Sequence, residues 1–238
     1  MKNFFKKFGN WLWCQIKEYA GRVLLFTFFS SSFVMTVLLL GHGISDMRNE
    51  QYHKYTNYEV YQEVNKLRYD SLMLELSNEI DAYISKVSNG LSLMSGFVVA
   101  SQCVEYDIDV CFVLAQGEQE SHFGTYGLAR KTNSVFNVFA YDGDSYNEIN
   151  KNGKYEHPND CIEPYLRLLK RDYLVDGKTE FDLLDNYINK NGARYASFEN
   201  YEDSLCLKIN KIKSETRIDA LYNAVKKQRL IVGYTIVN

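Results

Sequence analysis

The chain has 238 residues, 46% of them apolar and 24% charged, with a net charge of −3. That is enough for one good-sized domain plus an appendage, or for two small domains, and it excludes wholesale disorder. The charge is unevenly spread. Residues 1–22 carry Lys2, Lys6, Lys7, Lys17 and Arg22 against Glu18, which leaves a net −7 on the rest. An acidic body without a basic patch argues against nucleic acid as a partner.

In chain order, residues 1–22 read as a basic cytoplasmic or interfacial segment, its lysines and aromatics suited to the inner leaflet. Val23–Gly41 (VLLFTFFSSSFVMTVLLLG) follows without a charge. As a helix it reaches about 28 Å, close to the roughly 30 Å of a hydrocarbon core. Ser30, Ser31 and Ser32 lower its hydropathy, but serine bonds back to its own helix. Five basic residues precede it, while Arg48 and Lys54 follow, which predicts a single transmembrane anchor over 23–44, a cytoplasmic N-terminus and an exported body. The competing readings are a cleaved signal peptide, for which LLLGHGISD offers no A-x-A-like site, a buried core helix, and a membrane-active segment carried by a virion.

Residues 45–77 are expected to form a linker and helical stalk, and residues 78–238 the main domain. The polar stretch 45–58 lacks periodicity. From Glu59 to Val87 apolar residues recur at helical spacing until Asn89-Gly90 ends the helix. The pattern then predicts helices over Leu91–Tyr106, Asp109–Ser121, Pro158–Tyr173, Glu180–Lys190, Tyr201–Ser214 and Arg217–Lys227. Pro158 suits a helix start, whereas Pro164 should kink its helix. Between Gly124 and Tyr155 short aromatic and Asn/Gly/Asp-rich pieces predict a loop or small β-lobe over a cleft. The fold class is therefore mainly α, with an α+β element in that lobe. Five cysteines have no spacing that fixes a pairing, and no C-x-x-C or His/Cys cluster suggests zinc, so neither metal nor cofactor is expected.

The informative stretch runs from Ile108 to Gly143. On its helix, Cys111, Leu114, Ala115 and Glu118 share one face, and Val113, Gln116, Gly117 and Glu120 another. The second face suits a groove, with room at Gly117 and hydrogen bonds from Gln116. Glu120 would lie at the helix C-terminus, where the dipole disfavours an ionised carboxylate. A carboxylic acid kept protonated is the proton donor that glycoside cleavage needs. Taken alone, a glutamate there is more often a solvated helix end.

The run resembles the glucosaminidase family, which includes bacterial autolysins and the flagellar muramidase and has a lysozyme-like fold. The matching residues are Leu114-Ala115-Gln116, Glu120-Ser121, Phe123-Gly124-Thr125, Thr132-Asn133-Ser134, Phe136-Asn137, Pro164 to Leu169, and Arg194-Tyr195-Ala196-Ser197. The resemblance implies that Glu120 is the catalytic acid, that Asn133, Phe136 and Asn137 line the groove beside Gln116, and that Tyr195 faces the sugar. A second acidic residue in the lobe is implied too. Asp142, Asp144, Glu148 and Glu156 are candidates, with Asp142 nearest the matched motif. The substrate's own N-acetyl group could serve instead. Glu118 departs from the small apolar residue common in the family.

These readings lead to a membrane-anchored peptidoglycan hydrolase that cuts β-1,4 bonds of the glycan strand for local wall opening. A lytic transglycosylase using the same glutamate is the close alternative. An idle glycan-binding module of a secretion, conjugation or phage-entry assembly is the alternative from a different class.

Overall fold

The computed structural model describes residue 17 and residues 49–139, 145–186, 191–192 and 200–233. The chain divides into two compact units, Met1–Val60 and Tyr61–Asn238. The expected anchor over 23–44 lies outside the described residues, as do Asp142, Asp144 and Tyr195. Among the described residues no helix is long and apolar enough to cross a membrane.

The first described helix, α1, runs over Asn49–Ser88, ten residues earlier than its apolar pattern begins. Residues 49–58, read as linker, are helical. No glycine or proline interrupts 49–88, so nothing in the polar stretch stops the helix. Val64 and Leu67 stay exposed, Asn65 is buried, and apolar burial starts at Met73 and continues through Leu76, Ile80, Tyr83 and Ile84. Asn89 and Gly90, both at positive φ, end α1, with the Gly90 N–H donating to the Ser85 carbonyl at 2.8 Å.

Helix α2 spans Gly96–Tyr106, five residues short of the predicted start. The reason lies in α1. Asp81 Oδ1 accepts from the Gly96 N–H at 2.6 Å and so caps α2 from a neighbouring helix. A Cβ on Gly96 would come within 2.3 Å of the Ser77 carbonyl, so only glycine permits this approach.

Helix α3, Val110–Ser121, is capped by Asp109, whose side chain accepts from the Cys111 and Phe112 N–H groups. Every residue from Val110 to Glu118 is buried, so α3 is the central helix rather than one with a core face and a groove face. Between α3 and residue 161 the described chain contains turns, the short helix α4 (Ala129–Thr132) and 3₁₀ turns at Lys151–Gly153 and Pro158–Cys161. Of the loop or small β-lobe expected there, the described residues form loop with short helical turns, and no strand occurs among the described residues. Asn133, Asn137 and Phe139 all have positive φ, which interrupts any extended run.

Helix α5 (Ile162–Leu168) continues into a π turn over Leu169–Tyr173. Pro164 fits inside its first turn, where the missing N–H costs little. Helix α6 covers Glu180–Asn186, the remainder of its predicted span (to Lys190) lying outside the described residues. Helices α7 (Tyr201–Glu215) and α8 (Ile218–Val232) complete the set. Helix α7 packs along α3. Helix α8 is tied to α1 by Gln228, which donates to the Asn65 carbonyl at 3.1 Å, and to α2 by Arg229, which donates to the Val104 carbonyl. The arrangement is consistent with a lysozyme-like helical domain.

Candidate active site

The site is built on the last turn of α3. Three consecutive residues after it, His122, Phe123 and Gly124, have positive φ (46°, 58° and 83°). The left-handed conformation costs a non-glycine residue roughly 1–2 kcal/mol, so the turn needs external support. Ser121 supplies much of it. Its hydroxyl donates to the Val135 carbonyl at 2.7 Å and accepts from the Gly124 N–H at 2.7 Å. Ser92 adds a hydrogen bond to the Phe123 carbonyl at 2.8 Å. The reversal folds the Phe123 ring back beneath Gly117, where a Cβ would lie 2.9 Å from the ring. The room at Gly117 is therefore filled by Phe123 and is not open to a ligand. Tyr83 meets the same ring edge-on, with centroids 6.1 Å apart.

Glu120 is the penultimate residue of α3, and two side chains hold its carboxyl. The Tyr201 hydroxyl donates to Oε1 at 2.6 Å. Asn137 Nδ2 donates to Oε2 at 3.3 Å and to the Glu120 carbonyl at 3.1 Å. Burial pushes this carboxyl above the usual carboxylate range, and the bonds from Tyr201 and Asn137 pull it part of the way back. Tyr201, at the first turn of α7, is itself nearly buried at 5% exposed. Its oxygen accepts from Gln116 Nε2 at 3.1 Å.

The other residues expected at the groove occupy different places. Gln116 is 0% exposed, and its side-chain amide donates to Tyr201, whose hydroxyl in turn donates to Glu120. Phe136 is 1% exposed and stacks on Tyr165, with centroids 3.9 Å apart. Both therefore lie beneath the site rather than on its surface. Asn133 sits at positive φ at the end of α4 and donates to the carbonyls of Tyr155 at 3.0 Å and Glu156 at 2.9 Å. It pins the returning 155–156 segment. Asn137, also expected at the groove, hydrogen-bonds the Glu120 carboxyl directly.

Of the acidic candidates, Glu148 is exposed and accepts from the Ser145 N–H at 2.6 Å, which keeps it below the usual carboxylate range; Glu156 is also exposed. Glu118 points away from Glu120, because two helical residues are about 200° apart. It accepts from Tyr83 and pairs with Lys208 at 2.8 Å. Burial works against its charge, yet the Lys208 and Tyr83 hydrogen bonds outweigh burial and hold it below the usual range. No group of residues suited to a metal occurs among the described residues.

Tyr201, Tyr83 and Lys208 are functional neighbours that sequence reasoning missed. Tyr201 lies 81 positions from Glu120, and no local signal pairs them.

Residues 98–214 match the Glucosaminidase family model, described as mannosyl-glycoprotein endo-beta-N-acetylglucosaminidase. No curated protein matches the chain. The matched span contains α3, the turn after it and α7 except its last residue, hence both Glu120 and Tyr201. Over that span the match supports the glucosaminidase family and a glycoside hydrolase acting on peptidoglycan.

Proposed function

We propose that this glucosaminidase domain cuts β-1,4 bonds of peptidoglycan glycan strands with Glu120 as the general acid. The observation that carries the reading is Glu120 itself, a largely buried carboxyl pushed upward in pKa and oriented by Tyr201 and Asn137. In the protonated form it delivers its proton to the bridging oxygen as the bond from C1 to that oxygen breaks. Water then adds at C1, and the carboxylate takes up the proton it loses. In a transglycosylase the sugar's own 6-hydroxyl replaces that water, leaving an anhydro end.

The second reading is the transglycosylase, in which Glu120 serves as acid and then base, and two acids among the described residues are already engaged elsewhere. The acid nearest in sequence, Glu118, is committed to Tyr83 and Lys208, and Glu148 caps its own turn. Asp142 remains the candidate for a second carboxyl, with Tyr195 the candidate for a sugar contact. Residues 23–44 supply the tether in this proposal, with the N-terminus cytoplasmic and the domain facing the wall. Their uncharged length and the five preceding basic residues support it. A tethered enzyme reaches only adjacent wall, which suits local opening within an envelope or virion assembly.

Digestion of purified peptidoglycan by the full chain in detergent, with products read by mass spectrometry, tests the proposal. Reducing ends identify hydrolysis and anhydro ends identify transglycosylation. A folded protein that binds glycan without cutting it would favour an idle binding module.

A further inference from the structure

We propose that Gln116 is a positioning residue for the reaction, fixing the direction of the Tyr201 hydroxyl proton so that Oε2 of Glu120 is the oxygen that releases its proton. The inference rests on Glu120 being the acid.

Gln116 lies one helical turn before Glu120 on α3 and is fully buried. A phenol carries a single proton and can also accept. The Gln116 amide N–H points at the Tyr201 oxygen at 3.1 Å, and that oxygen lies 2.6 Å from Oε1 of Glu120. With the amide donating, the phenol proton follows the shorter line to the carboxyl. Oε1 is then an acceptor in both protonation states of Glu120. When Glu120 is protonated, its proton belongs on Oε2. That oxygen has the longer contact, 3.3 Å from Asn137, and so is the less firmly engaged of the two.

The reverse arrangement has a different signature. If protonated Glu120 donated to Tyr201 through Oε1, the phenol proton would have to leave the 2.6 Å line. Tyr201 would then stabilise the neutral acid rather than the carboxylate. The two arrangements give opposite shifts when the hydroxyl is removed.

The test uses the full chain in detergent and solubilised peptidoglycan glycan strands, comparing native protein, Tyr201→Phe, Gln116→Met and Glu120→Gln. The basic limb of kcat/KM against pH reports the free enzyme's acid. Tyr201→Phe should move that limb to higher pH by about one unit, the size of a lost hydrogen bond to a charged group. Gln116→Met should move it the same way by less, and should lower kcat about tenfold with KM unchanged, since Gln116 is buried away from the glycan. A limb that stays in place or moves to lower pH in Tyr201→Phe overturns the inference. So does a Gln116→Met protein with native kcat and profile. Should Gln116→Met not fold, Tyr201→Phe decides alone. Full activity in Glu120→Gln would instead remove the reading of Glu120 as acid, whatever the other variants do.

Discussion

Glu118 and Glu120 stand two residues apart on α3, yet their surroundings push them in opposite directions. Glu118 meets Lys208 and Tyr83 and is held below the usual carboxylate range, whereas Glu120 is pushed above it by burial. The helix separates the two by about 200°. One side chain thereby ties α3 to α1 and α7, and the other is the one that exchanges a proton in the proposed mechanism. Divergent pKa values in neighbouring carboxyls mark a division of roles.

The first consequence concerns stability. Lys208→Met leaves Glu118 partly buried without its cation and should cost about 1–3 kcal/mol. Because Glu118 has a depressed pKa, its contribution is present above the ordinary carboxylate range and is lost as pH falls through its folded value. Denaturation of Lys208→Met and native protein at neutral and acidic pH should therefore show the gap narrowing in acid. A gap of equal size throughout would contradict the role assigned to this pair.

Glu120 carries the opposite sign. A carboxyl with a raised folded pKa weakens the fold at neutral pH, and the loss disappears as pH falls below its unfolded value. Glu120→Gln is expected to melt higher than the native protein near neutrality, with the difference vanishing in acid. Thermal melts across that range check this, and a lower melting temperature at neutral pH would count against the burial argument.

Gly117→Ala tests the packing beneath the site. Alanine gains about 1 kcal/mol in helix propensity, but its Cβ would sit 2.9 Å from the Phe123 ring. That ring is 1% exposed and braced by Tyr83, so it cannot swing aside. Overpacking costs about 1–3 kcal/mol, and net destabilisation is expected. The same ring anchors the turn after Glu120, so glycan cleavage should fall as well. Chemical denaturation beside an activity assay checks both, and a stabilised, fully active variant would refute the account.

Asn137 combines a positive φ of 51° with the contact to Glu120. Asn137→Gly keeps the backbone comfortable and removes only the amide, while Asn137→Ala strains the backbone too. Both should lose about five- to tenfold in kcat/KM, matching one hydrogen bond of about 1 kcal/mol. Asn137→Ala should also lose stability. Native activity in Asn137→Gly would show that the amide does not serve Glu120.

Much of this was legible in the sequence where the determinants are local. The Asp109 cap and the apolar run of α3 place Glu120 at a helix end, and Asn89-Gly90 ends α1 as its residue types predict. What could not be read depends on distant partners. Asp81 shortens α2 from another helix, Tyr201 reaches Glu120 across 81 positions, and the left-handed turn at 122–124 brings Phe123 under Gly117. The helix face shared with Glu120 predicts Gln116 at the groove, and the family resemblance predicts Phe136 there. Gln116 is buried because α3 is enclosed from Val110 to Glu118, and Phe136 because it stacks on Tyr165, and neither can be read from the periodicity of a single helix.

The most direct test of the central claim is peptidoglycan cleavage by the full chain beside Glu120→Gln, quantified by mass spectrometry of released fragments. The account predicts that native protein releases fragments and that Glu120→Gln, folded to the same degree, releases at least about a hundredfold fewer, the size of a general-acid contribution. Equal release by the two proteins would contradict it.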